Sequence, residues 1–388
     1  MKRYVVPTMK EVLESEARNL FSVISTFAGC GGSSTGYRLA GGKVLLVNEF
    51  IPAAIETYKA NYPQTIVLPD DIRDLKGKDL LDPVGMDPGE LDVLDGSPPC
   101  ASFSKSGKRE KTWGMVKKYS DTKQRVDDLL FEFARVLGEV RPKVFLCENV
   151  DALAEGIAGD LLGSAQFDLF GECKNTIFHT LSDQGYRVDF QILNAAEFGV
   201  PQRRRRLFIM GVRKDLNLLP VFPKPILLPN EQVTVREALE GMENTEEELA
   251  ECRIPEGCAS HGLLLQMKEG ESGDMYHPKG SFFNIIKNSW DRPACTILQT
   301  HFKPTIAGGL VHPSEMRLWT IREAKRLSSF PDDFILTGNY SKKGERIGRA
   351  VPPLLMKAVA SCIYERILSR LEEGTVDDRE EEDGGEPI

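Results

Sequence analysis

The chain has 388 residues, 49 lysines and arginines against 58 aspartates and glutamates, a formal net charge of −9, and 41% hydrophobic residues. These proportions exclude a low-complexity or fibrous protein and suit a soluble enzyme of two domains, or one large α/β domain with a smaller insert. No apolar run is long enough to span a membrane, the amino terminus has no signal-peptide core, and the eight cysteines form no C-x-x-C pair. A cytoplasmic protein with reduced thiols, no disulfide framework and no metal site is the expectation.

The charge is unevenly placed. From Glu372 to Ile388 nine carboxylates face the single cation Arg379, so eight of the nine formal negative charges sit in that tail. Acidic and nearly free of apolar residues, residues 372–388 read as a disordered tail. The remaining body is close to neutral, with local basic patches.

In chain order, a short helix fits Glu11 to Leu20, and Phe21 to Phe27 reads as a strand. Ala28-Gly29-Cys30-Gly31-Gly32 opens a glycine-rich turn into a helix, and a second strand, Val44 to Val47, ends at Asn48-Glu49. Strand, glycine loop, helix, strand and acid is how a parallel sheet binds an adenosine cofactor, the carboxylate accepting from ribose hydroxyls. The loop is not G-x-G-x-x-G, which favours a methyl-donor site over a dinucleotide site. Ile51 to Asn61 reads as a helix and Thr65 to Leu68 as a strand, followed by Asp70-Asp71-Ile72. Those carboxylates either hold an adenine amine or cap and solvate a helix.

Leu91 to Leu94 reads as a strand ending in Asp95-Gly96-Ser97-Pro98-Pro99-Cys100. Cys100 then sits at a strand's carboxyl end, where open α/β sheets place ligands, on a loop stiffened by two prolines. The plainer reading of Cys100 is a small buried hydrophobe. Beyond it lie Lys105, Lys108, Arg109, Lys111, Lys117, Lys118, Lys123 and Arg125, a basic stretch suited to a polyanion. Lys123 to Val140 has apolar residues at helical spacing, and Lys143 to Cys147 is a strand delivering Glu148-Asn149-Val150 to the same sheet edge as Cys100. An acid there is costly without a partner or a task.

A helix around Phe167 to Gln184 and a strand over Tyr186 to Leu193 precede Pro201-Gln202-Arg203-Arg204-Arg205-Arg206, which leads into a strand, Leu207 to Val212. Alternation turns Arg204 and Arg206 to one side, and one such pair can face the site. From Lys214 to Ala294 prolines and acidic residues replace periodicity, the texture of a second, irregular domain. Arg317 to Leu327 reads as a helix closed by Phe330-Pro331, and Gly344 to Pro353 as the start of a final helix reaching Leu371.

These pieces together resemble DNA cytosine-5 methyltransferases over nearly the whole chain, from Phe27 to Ala360. Phe27 to Gly32 resembles the family's cofactor loop, Pro98-Pro99-Cys100 with Phe103-Ser104 its nucleophile motif, and Glu148-Asn149-Val150 its acid motif. Pro201 to Arg206, Arg317 to Phe330 and Gly348 to Pro353 match three more, in the family's order. The resemblance implies an α/β fold, a Rossmann-like class I methyltransferase domain with a mostly parallel sheet. It implies a catalytic part over 20–213, a target-recognition domain over 214–305, and a return to the catalytic domain over 306–371.

It further implies S-adenosylmethionine held by Phe27, Ala28, Gly29, Cys30, Gly31, Gly32, Glu49, Phe50, Asp71, Ile72, Pro99, Arg349, Ala350 and Val351. Double-stranded DNA is the implied partner, met by Ser104, Lys105, Lys108, Arg109, Gln202 and Thr296, with the protein a monomer in a prokaryotic or phage-infected cell. In the implied chemistry the Cys100 thiolate adds to C6 of a flipped cytosine and makes C5 nucleophilic. A protonated Glu148 donates to N3, and Arg206, helped by Arg204, holds O2 and orients Glu148.

Two positions depart from the family pattern. Ala101 stands where the family usually has Gln, and Arg349 where it usually has Asn, near the donor's sulfonium. A guanidinium about 5 Å from a sulfonium costs on the order of 3 kcal/mol at an effective dielectric of 20. Either Arg349 pairs with a carboxylate on the donor, as in carboxy-S-adenosylmethionine, or it turns to a phosphate or to an acid such as Glu345 and the enzyme is an ordinary methyltransferase. A non-catalytic DNA-binding protein and an RNA cytosine methyltransferase remain alternative readings, since phosphates do not distinguish the nucleic acids.

Overall fold

The computed structural model describes residues 4–99, 117–119, 122–124, 128–153, 179–258, 260–276, 285–304 and 309–372. Cys100, Ser104, Lys105, Lys108 and Arg109, and the acidic tail from residue 373, lie outside the described residues.

A seven-stranded sheet forms the centre, built from β1 (Phe21–Thr26), β2 (Gly42–Asn48), β3 (Ile66–Leu68), β4 (Val93–Gly96), β7 (Val144–Val150), β8 (Tyr186–Asn194) and β9 (Arg205–Arg213). The intervening β5 (Lys117–Tyr119) and β6 (Thr122–Gln124) form a separate antiparallel pair. Strand order is β3-β2-β1-β4-β7-β9-β8. The first five are parallel, and β9 runs antiparallel to both its neighbours. That reversal matters for the site: the carboxyl ends of β1, β2, β4 and β7 share one edge, and β9 brings its amino end, Arg205-Arg206, to the same edge, with Val150 opposite Arg206.

Both faces of the sheet are covered, which is why its strands read as near-continuous apolar runs. Adjacent residues diverge: Val23, Val47 and Leu146 join the core beneath α2 (Gly32–Leu39) and the helix Pro353–Ile363, while Ile24, Leu94 and Phe145 join the core beneath the helix Leu129–Val140. The segment expected to recognise the target, 214–305, has short helices, Val235–Leu239, Glu246–Cys252 and His261–Gln266, the first two opened by capping boxes from Thr234 and Thr245. Its parallel ladder of β10 (Ile285–Lys287) and β11 (Gly309–Val311) runs past the boundary expected at 305.

Several expected elements shift. Helix density expected from Lys123 starts only at Leu129, because Thr122–Gln124 pairs as a strand. Glu148 and Asn149 belong to β7 rather than following it. The helix expected from Arg317 starts at Ile321, where the Thr320 hydroxyl accepts from the Glu323 amide; Arg317 and Leu318 instead bridge to Arg253 and Val311. The final helix expected as one piece is broken at Ala350–Pro352, since Pro352 and Pro353 lack amide protons and the chain there is extended.

Candidate active site

The residues expected to hold the donor begin where β1 stops. Phe27 adopts φ of 54°, an uncommon conformation for a side-chain-bearing residue, and turns the chain into the glycine loop. A Cβ on Gly32 would lie 2.4 Å from the Val351 carbonyl oxygen and 3.0 Å from the Ala350 methyl carbon, so only glycine lets the loop meet that distant segment. Cys30 is buried with its thiol on the Arg346 carbonyl, and burial pushes the thiol up to about 11, which makes it inert packing.

Glu49 follows β2 directly. Its carboxylate accepts from the Gly29 and Ile51 amides, each at 2.7 Å, and burial raises its pKa against those two bonds and the Arg346 charge. The Phe50 ring beside it is 38% exposed, an aromatic surface at the strand edge. Asp71 is engaged by Arg73 at 2.9 Å, and Arg73 also binds Asp128 at 2.6 Å. Ile72 is buried, with its carbonyl accepting from Arg135. Arg349 pairs with Glu345 at 2.8 Å, and Arg346 reaches the same carboxylate oxygen at 3.0 Å.

The acceptor end is organised by Glu148, only 7% exposed. Arg206 Nε meets its Oε1 at 2.9 Å, and Ser97, which follows the neighbouring strand, helps hold the same carboxyl's pKa down. Burial raises the Glu148 pKa, with Arg206, Arg204 and Ser97 opposing the rise. The Asn149 amide donates to the Pro98 carbonyl at 3.2 Å, tying the acid strand to the Pro98-Pro99 loop. Gly96 and Cys147 stand opposite each other in the parallel β4–β7 pair, so Ser97–Pro99 leave the sheet beside Glu148 and Asn149, which continue β7. Pro99 is half-buried at the last described position before Cys100.

The other arginine-motif residues face inward differently from expectation. Arg204, 1% exposed, donates to the Ile297 carbonyl at 2.8 Å and the Gly348 carbonyl at 2.9 Å, so its Nη atoms fasten backbone segments rather than reach for a base. Gln202, expected at DNA, is buried; it donates to Leu327 and Ser328 and accepts from the Ile297 amide. The Thr296 hydroxyl donates to the Arg203 carbonyl at 2.6 Å. Together these three join the amino end of β9 to Thr296 and Ile297. Ser97 and Asn149 escaped the sequence-based site; the signal available was their position beside two strand ends. Asp95, buried in β4, also escaped, its charge hidden in an apolar run. Among the described residues no group of three or more side chains could hold a metal, and no helix is long and apolar enough to cross a membrane.

Residues 21–365 match the family C-5 cytosine-specific DNA methylase. The Type II methyltransferase M.PspPI of Psychrobacter sp. is 32% identical over 91% of this chain and 81% of its own, and M1.HphI of Haemophilus parahaemolyticus 30% over 88% and 86%. Among solved structures, a prophage-encoded E. coli protein gives a TM-score of 0.65 at 22% identity, covering 90% of this chain and 99% of that one. A Spodoptera frugiperda DNMT2 mutant gives 0.60 at 16%, covering 87% and 97%. At such identities the structures bear on the fold alone. The match across nearly the whole catalytic body, together with these relatives, shows that the chain belongs to the C-5 cytosine-specific DNA methylase family.

Proposed function

We propose that the protein methylates C5 of cytosine in double-stranded DNA, through a covalent adduct between Cys100 and C6 of a base turned out of the duplex. The observation that carries this reading is the buried Arg206–Glu148 ion pair, its acid on the strand paired with the one that leads to Pro98-Pro99-Cys100. S-adenosylmethionine, when bound, supplies the electrophilic methyl group. The fit for it rests on the Glu49 carboxylate, suited to ribose hydroxyls, and the Phe50 ring, suited to adenine, at the end of β2 beside the glycine loop. Ala350 and Val351 pack against the glycine loop at Gly32 and would back the donor there.

In this reading the Cys100 thiolate forms the bond to C6 while a protonated Glu148 gives its proton toward N3, which relieves the charge that addition would leave on the ring. Arg206 keeps the Glu148 carboxyl oriented and offers its remaining donors to O2. After transfer a base removes H5, the electron pair restores the C5–C6 double bond, and the thiolate leaves. Burial supports the acid role of Glu148, since it raises the pKa of a carboxyl that must keep its proton. Arg204 and Gln202 hold the recognition segment against this edge.

Glu345 speaks to the second reading, a carboxymethyl transfer from carboxy-S-adenosylmethionine. Arg349 already has a carboxylate 2.8 Å away, which offsets its charge and favours the ordinary donor. One experiment addresses all readings. Cytosine and 5-fluorocytosine duplexes, and matched RNA, are incubated with each donor; adducts are resolved by denaturing gel and nucleosides by mass. The expected result is 5-methylcytosine in DNA and an adduct lost in Cys100→Ser. Product only in RNA, only with the carboxylated donor, or none with any substrate would overturn it. A monomer acting in the cytoplasm of a prokaryotic or phage-infected cell completes the proposal.

A further inference from the structure

Arg73 is a cation that the chemistry above does not use, and it stands between the proposed donor site and the helix Leu129–Val140. Strand β3 ends at Leu68 opposite Asn48 of β2, and the Asn48 side-chain amide donates to the Leu68 carbonyl at 3.1 Å and the Asp70 carbonyl at 2.8 Å. Asp71 therefore leaves the sheet beside Glu49 and Phe50. Arg73 holds its carboxylate: the Arg73 backbone amide and Nη1 donate to Oδ1, each at 3.1 Å, and Nη1 reaches Oδ2 at 2.9 Å. On its other side Arg73 grips Asp128, with Nε donating to Oδ2 at 3.2 Å and Nη2 to Oδ1 at 2.6 Å. Asp128 occupies the N-cap of the helix Leu129–Val140, yet its side chain makes no capping bond. An aspartate there ordinarily accepts from an amide of the first turn. Here that role is given up to the guanidinium, a local departure of the kind that marks a functional constraint.

We propose that Arg73 is a positioning residue for the methyl donor: braced on Asp128, it turns the Asp71 carboxylate toward the exocyclic amine of the donor's adenine. The inference rests on the donor site proposed above. Oδ1 already accepts from two donors and Oδ2 from one, so Oδ2 keeps a lone pair for an amine, and the Asp71 side chain is 23% exposed, open to a ligand. A planar guanidinium fixes both carboxylates in one geometry, which a single ammonium would not do. Adenine stacked on Phe50 presents its amine to this oxygen, whereas hypoxanthine presents a carbonyl oxygen that a carboxylate repels. Arg73 thereby sets the choice between the two bases while touching neither.

The test is calorimetric titration of the DNA-free protein with S-adenosylhomocysteine and with its deaminated counterpart, S-inosylhomocysteine. Wild type should bind the adenine form about 30-fold more tightly or better, the difference between a charge-assisted hydrogen bond made and lost. In Arg73→Met the ratio should fall to about threefold, because Asp71 is then free to turn to water. Asp128→Asn loosens only the brace and should lower the ratio by a smaller factor. Should Arg73→Met not fold, Asp128→Asn carries the test. A ratio unchanged in either folded variant, with both ligands weakened alike, means that Arg73 only holds the loop together and overturns the proposal. Equal binding of the two ligands by wild type overturns it as well, and both results leave the methylation reading intact. A wild type that binds neither ligand and transfers no methyl group removes the donor site itself, and this inference with it.

Discussion

The Arg206 guanidinium meets the Glu148 carboxylate at 2.9 Å, and both side chains are nearly sealed from water. Such a pair is a poor source of stability, since desolvation offsets most of its attraction, but breaking it is costly. Arg206→Ala should lower stability by about 3–5 kcal/mol, the penalty of a buried charge left alone. Single-turnover methyl transfer should fall about 100- to 1000-fold, as for other preorganised donors aimed at developing charge. Melting curves and rapid-quench kinetics read the two effects separately.

Arg204 should behave differently, because its donors go to backbone. Arg204→Met leaves the Ile297 and Gly348 carbonyls without their partner, each worth about 1–3 kcal/mol when buried. The expected signature is a lower melting temperature and raised KM for both DNA and donor, with kcat less affected than in Arg206→Ala. Steady-state kinetics on the two variants side by side would show that split.

Gly32→Ala adds a methyl 2.4 Å from the Val351 carbonyl oxygen. Overpacking of this kind costs about 1–3 kcal/mol. Since the displaced segment forms part of the proposed donor pocket, calorimetric titration should find S-adenosylmethionine affinity reduced about tenfold or more. Unchanged affinity would place the donor elsewhere.

Glu345→Gln removes the carboxylate that lies 2.8 Å from Arg349 and 3.0 Å from Arg346. Two guanidiniums then bear on the pocket without that counter-charge. Affinity for the cationic methyl donor should drop about tenfold. Use of carboxy-S-adenosylmethionine should rise, seen as 5-carboxymethylcytosine in the nucleoside mass profile. An unaltered donor ratio would show that Arg349 does not sense the transferred group.

Asp95 gives a stability prediction with a definite sign. Its folded-state pKa of about 7 lies above the ordinary aspartate value, so between pH 4 and 7 the folded chain binds more protons than the unfolded one. That contribution to stability is full at low pH and is lost as pH rises toward 7. Asp95→Asn, which cannot ionise, should therefore gain melting temperature relative to wild type at pH 8 compared with pH 5. A difference that is flat with pH would mean that Asp95 titrates normally.

The central sheet was legible because parallel strands buried on both faces leave apolar runs, as at Val44 to Val47, and because a glycine loop and an acid stand at consecutive strand ends. Element edges were less legible. Pairing of Thr122–Gln124 overrode the helical spacing that begins at Lys123, and Pro352–Pro353 divided what composition alone joined. The arginine motif identified its residues without telling their partners. Arg204 bonds to carbonyls 93 and 144 residues away, a relation created by tertiary packing. Glu148 could be found from its place at a strand end, whereas the charge of Asp95 disappeared into the strand that carries it.

The contact of Gly32 with Ala350 and Val351 has a meaning for biosynthesis. It joins Gly32 to residues far along the sequence, so a ribosome must make the chain as far as Val351 before that contact can form. Chains terminated before Ala350 would carry Cys100, Glu148 and Arg206 yet lack the segment that packs on Gly32, and so the backing of the proposed donor site. Under the proposed function, transfer would begin only once synthesis had passed Val351.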